Sequence, residues 1–68
     1  MEKKIYVEGL DDANQGAVQS AVAAVAGVTS CTATAAKMQV LVNFDEGTAG
    51  IEDAINNAIS GAGVTPLN

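Results

Sequence analysis

Apolar and polar residues alternate strictly through Lys4-Ile5-Tyr6-Val7-Glu8, which predicts a strand with Ile5 and Val7 on one face and Tyr6 on the other. Gly9 ends it. Val18, Ala21, Val22 and Val25 then recur at helical spacing, with Gln15, Gln19 and Ser20 off the stripe. Gly27 is placed to stop that helix as a left-handed cap. From Val28 to about Ala35 the chain is rich in threonine, and Cys31, Ala33 and Ala35 share one parity. Ala36-Lys37-Met38 turns it into a third strand, where Val40, Val42 and Phe44 face one way and Gln39, Leu41 and Asn43 the other. Ile51, Ile55 and Ile59 stand at every fourth position and predict a second helix, with Thr48 as its N-cap. Gly61-Ala62-Gly63 closes it, and 64–68 reads as a short last strand in which Pro66 suits an edge.

The order is βαββαβ, two βαβ-like halves of similar length. Its compact solution is of the α+β class: a ferredoxin-like sandwich, a four-stranded antiparallel sheet with both helices on one face. Right-handed crossovers place strands one and three side by side in the middle, where they are expected to run in the same direction. All 68 residues form one domain, near the lower size limit for independent folding. Alanine and valine dominate its core and Tyr6 and Phe44 are the only aromatics, so modest stability is expected.

Charge narrows the function. Eight acids stand against three lysines, for a net charge of −5, with no arginine and no histidine. Nucleic-acid phosphates would be repelled, so no nucleic-acid partner is expected. The commonest general acid/base and the commonest metal ligand are missing with histidine. Cys31 has no second cysteine to pair with, so no oxidising compartment is implied. No apolar run is long enough for a membrane span and the first residues lack a leader pattern, so the expectation is a cytoplasmic protein without membrane contact.

If strands one and three end at one pole, Glu8, Asp11, Asp12, Asp45, Glu46, Glu52 and Asp53 gather there, and Lys3, Lys4 and Lys37 lie toward the other. Acids at helix N-termini complement the helix dipole by ~0.3–1 kcal/mol each. A clustered acidic field also suits a basic protein surface or a hard cation, and Glu8, Asp11, Asp12, Asp45 and Glu46 are the expected partner-binding residues. Within the first strand-to-helix loop, Asp12 and Gln15 have the spacing of a capping box, Asp12 accepting from the first turn and Gln15 reaching back to the Asp12 N–H. The competing use of the same loop makes Asp11, Asp12 and Asn14, with Asp45, oxygen ligands for Ca²⁺, Mg²⁺ or Mn²⁺. The loop is too short to wrap such an ion, so only weak binding of a divalent cation is expected.

These residues together resemble the heavy-metal-associated domain family, the copper chaperones and the N-terminal modules of metal-pumping ATPases. The resemblance runs over nearly the whole chain: "KKIYVEGL" for the first strand, "AVQSAVAAVAGVTSC" for the first helix and its exit, "VLVNFDEGT" for the third strand and "IEDAINNAISGAG" for the second helix. It implies a soft-metal loop of the form G-M-x-C-x-x-C, where a helix N-terminus lowers the thiol pKa values and two sulfurs clamp the ion. Here the loop reads "GLDDANQGAV". Counted from Gly9, the two cysteine positions fall on Asp12 and Gln15; counted back from Val18, they fall on Asp11 and Asn14. Leu10 keeps the apolar character of the family's methionine. Val64 stands where the family often has an aromatic residue or a lysine. Cys31 has the helix-facing parity and is expected to be a small buried hydrophobe. Met38 is expected at the pole opposite the loop.

Other occupants of the topology fit less well. An acylphosphatase-like enzyme needs an arginine. An RNA-recognition module needs exposed aromatics on strands one and three, where Phe44 has the wrong parity. A small-molecule-sensing regulatory domain shares the strand order and would dimerise with its ligand. No nucleophile–base pair or phosphate loop is present, so no enzymatic activity is expected. The expected function is a non-enzymatic interaction module without the thiolate site, docking a basic surface such as a metal-transporting ATPase. The alternatives are a metal carrier with Asp and Asn oxygen ligands, or with Cys31 shared between two copies, and, further, a small-molecule-sensing regulatory domain. A monomer is expected, with a weak sheet-to-sheet dimer through Tyr6 and Leu41 conceivable.

Overall fold

A computed structural model describes residues 1–67. The elements are β1 (Glu2–Glu8), α1 (Gln15–Ala23), β2 (Val28–Thr34), β3 (Gln39–Phe44), α2 (Ile51–Gly61) and β4 (Thr65–Pro66), with one 3₁₀ turn, Ala35–Lys37, between β2 and β3. They form a four-stranded sheet in the order β2-β3-β1-β4, and every neighbouring pair is antiparallel. This is the ferredoxin-like arrangement. Of the predicted last strand, Thr65–Pro66 pairs with Val7 and Glu8 on an edge; Asn68 lies outside the described residues.

The alternation of the strands sets the core. Ile5, Val7, Ala33, Val40, Val42 and Phe44 are buried on one face and meet Val18 and Val22 of α1 and Ile51, Ile55 and Ile59 of α2. Leu10 and Val64 close this core from the loops. Each fully buried Val, Ile or Phe side chain contributes about 1.5–3 kcal/mol, and for so small a chain these residues are most of the driving force. The other sheet face is open to solvent, with Tyr6 49% exposed.

Both helices differ in detail from expectation. α1 ends at Ala23, before Val25, and the chain leaves through turns in which Val25 N–H donates to Val22 O and Val28 N–H to Val25 O. Gly27, at φ +96°, has no room for a side chain: a Cβ would lie 2.7 Å from Thr48 Oγ1 and 3.0 Å from Ile51 Cδ1. Thr48 is therefore packed against Gly27 and does not cap α2, whose N-cap is Gly50 with no side-chain hydrogen bond.

One expectation about direction is overturned. β1 and β3 run antiparallel, with Glu2 opposite Asn43 and Tyr6 opposite Gln39. The turn at Ala35–Lys37 reverses the chain between β2 and β3. Each βαβ half thus holds its own two strands parallel, with a strand of the other half between them. The ends of β1 and β3 consequently lie at opposite poles. One pole carries the end of β1, the start of α1 and the β2–β3 turn, joined where Val7 N–H donates to Met38 O at 3.0 Å. The other carries the start of β1, the end of β3 and the start of α2, joined by the exposed ion pair of Lys3 Nζ and Glu52 Oε1 at 2.6 Å.

Candidate functional site

The loop between β1 and α1 is built on its own backbone. Gly9 takes φ +88° to turn the chain out of the sheet, and Leu10 anchors the turn in the core. Asp11 and Asn14 then face each other. Asp11 N–H donates to Asn14 Oδ1 at 2.8 Å and Asn14 N–H donates to Asp11 Oδ1 at 2.9 Å. That reciprocal pair is a capping box one residue earlier than the predicted Asp12–Gln15 register. Asp11 Oδ1 also accepts from Ala13 N–H at 2.8 Å, and Asn14 Nδ2 donates to Gly9 O at 2.8 Å. The amide side chain of Asn14 thus ties the helix start back to the strand end, a bond that Gln15 is not placed to make.

Gln15 is used elsewhere. Its Oε1 accepts from Ala35 N–H at 3.0 Å, and Gln19 Oε1 accepts from Ala33 N–H at 3.0 Å. Sequence reading missed this role; its one legible sign is two glutamines a helical turn apart beside the apolar stripe. Asp12 is left exposed, as is Glu8 at the end of β1.

The acidic residues expected together are divided. Glu8, Asp11 and Asp12 lie at the loop pole. Asp45 and Glu46 lie at the far pole, where Asp45 N–H donates to Gly27 O at 2.8 Å and Asp45 Oδ1 accepts from Gly47 N–H at 3.0 Å. Glu52 and Asp53 are also there, lining an open depression of about 370 Å³ with Glu46. The physical reason is the antiparallel run of β1 and β3, which sends their ends to different poles. The lysines divide in the same way: Lys37 sits in the turn at the loop pole and Lys3 at the far pole.

The sulfurs are likewise dispersed. Cys31 lies mid-strand opposite Val42, partly buried against the core, and burial pushes its thiol up to about 11. Met1 is paired with Phe44 at the far pole. Met38 is at the loop pole, not opposite it, with a left-handed backbone (φ +50°) and its side chain packed on the core. Val64 is buried and brings no polar group. Among the described residues, no group of three or more Asp, Glu, Cys or His side chains is arranged to hold a metal ion.

Solved structures share this arrangement over almost the entire chain. The CopZ metallochaperone is similar with a TM-score of 0.88 and 26% identity, covering 98% of this chain and 100% of that one. A copper-binding domain from HMA7, a P-type ATPase, is similar with a TM-score of 0.84 and 26% identity, covering 98% and 93%. The yeast copper transporter domain CCC2A follows with a TM-score of 0.78 and 23% identity, covering 98% and 94%. This chain has their fold. No family model matches the sequence, and no curated protein matches it. No described helix is long and apolar enough to cross a membrane.

Proposed function

We propose that this chain is a small non-enzymatic interaction module on a metal-trafficking type of scaffold, acting in the cytoplasm without a thiolate metal site. The supporting observation is a conjunction: the backbone follows a metallochaperone over 98% of its length, while Asp11 and Asn14 spend their side-chain bonds on the loop itself. A soft-metal cargo does not fit these residues. The loop offers oxygens and amides where such an ion needs sulfur, and Cys31 is turned to the core in the middle of β2, away from the loop. The same burial argues against Cys31 bridging two copies.

The partner surface is the loop pole alone, where Glu8, Asp11 and Asp12 are all exposed; Asp11 holds the loop, and Glu8 and Asp12 are the acids that face a basic protein surface. The soluble domain of a metal-transporting P-type ATPase is the partner to test. Asp45 and Glu46 belong to the other pole and take no part.

Backbone amide spectra decide the matter. Titration with Cu(I), Zn(II), Ca²⁺ and Mn²⁺ at micromolar concentration leaves Gly9–Gly16 unshifted, whereas the ATPase domain shifts them. Glu8→Lys with Asp12→Lys weakens that binding about tenfold or more, and raised salt does the same. Asp45→Lys with Glu46→Lys leaves it unchanged. Localised shifts at micromolar metal would overturn the metal-free reading, and binding indifferent to Glu8 and Asp12 would overturn the docking surface.

A further inference from the structure

α1 and the edge strand β2 are matched in pitch. Gln15 and Gln19 are one helical turn apart, a rise of about 6 Å. Ala33 and Ala35 are two residues apart, about 6.6 Å along an extended chain. The two spacings coincide, so each glutamine Oε1 receives one backbone N–H, Gln19 from Ala33 and Gln15 from Ala35, both at 3.0 Å. β2 has β3 on one side only, and these N–H groups are the ones turned away from it. Ala33 is thus a β2 position at which an added strand would bond, and Ala35 opens the 3₁₀ turn just beyond the end of the strand.

The composition of β2 gives it no other protection there. Its seven residues, VTSCTAT, hold no charge and no proline, and three threonines and a valine favour extended pairing. Its one irregularity, the register shift between Val28 and Ser30, lies at the end away from the glutamines. The opposite edge is guarded by other means, since β4 is two residues long and includes Pro66. The acidic residues gather toward the poles, and none lies on β2. Two β2 edges brought together by a two-fold axis would meet uncharged, each offering what the other accepts.

We infer that Gln15 and Gln19 are an autoinhibitory contact: they occupy the β2 edge in place of the β2 strand of a second copy and hold the chain as a monomer. The inference does not rest on the proposed function.

The test is Gln15→Ala with Gln19→Ala in the full chain, followed by sedimentation and amide exchange from micromolar to millimolar concentration. The parent chain sediments as one copy throughout, with Ala33 and Ala35 protected. In the dilute double variant those two amides exchange at least about tenfold faster. At millimolar concentration it sediments as two copies and their protection returns. Adding Thr32→Lys, which puts a charge on the edge strand, restores one copy. If circular dichroism shows the double variant unfolded, Gln19→Ala alone is measured in the same way. A folded variant that remains one copy overturns the inference, as does a parent chain already paired through β2, or an association that Thr32→Lys leaves intact. Failure of both variants to fold also overturns it, since the pair would then be a requirement of the fold.

Discussion

Asp11 and Asp12 are adjacent, similarly exposed and chemically identical, yet only Asp11 holds the loop. Replacing Asp11 with alanine removes the acceptor of two backbone N–H groups and costs about 1 kcal/mol. Asp12→Ala changes stability by no more than about 0.5 kcal/mol. Urea unfolding of the two variants side by side checks this. The sequence contains both registers, Asp11-x-x-Asn14 and Asp12-x-x-Gln15, and each is a sound capping box on paper. What separates them is Asn14 Nδ2 reaching Gly9 O and Gln15 reaching Ala35, and both contacts depend on where the chain lies in space. Cys31 was more legible, because its parity alone put it on the core side. Its thiol is pushed from 9.0 up to about 11, so above pH 9 the unfolded chain releases a proton that the folded chain keeps. The stabilisation from the protonated, partly buried thiol is full below pH 9 and lost as pH rises through about 11. Cys31→Ala therefore flattens the fall in stability over that window, read from thermal melts across the alkaline range, and the parent thiol alkylates slowly near neutrality.

The elements themselves were readable from period alone. α2 carries isoleucine on every turn and its buried stripe is as predicted; α1 relies on two valines among alanines, and its last predicted turn gives way to a looser exit. Gly27 shows why. Its left-handed backbone and the closeness of Thr48 and Ile51 bind the α1 exit to the start of α2, a contact between segments far apart in sequence. Gly27→Ala combines a left-handed alanine with overpacking and destabilises by about 2–4 kcal/mol, measured as a lowered denaturation midpoint at unchanged slope. Gly61→Ala, with nothing near its Cβ, is the matched control. The cap predicted at Thr48 is not made: α2 starts at Ile51 behind Gly50, two residues later than a Thr48 cap requires, and the Thr48 side chain lies beside Gly27.

At the scale of the molecule, strand order was legible and strand direction was not. Alternation reports which face a residue occupies, and it reads the same whichever way a neighbouring strand runs. The reversal at Ala35–Lys37 settles the direction, and with it the separation of the acids into two poles. The candidate loop could thus be located from sequence, but its electrostatic company could not.

Interleaving carries a consequence for how the molecule comes apart. Because β1 sits between β3 and β4, and β3 between β1 and β2, neither half closes a sheet by itself. Peptides 1–37 and 38–68 would each be an open comb without its counterpart: featureless alone by circular dichroism, and regaining the spectrum of the intact chain when mixed in equal amounts.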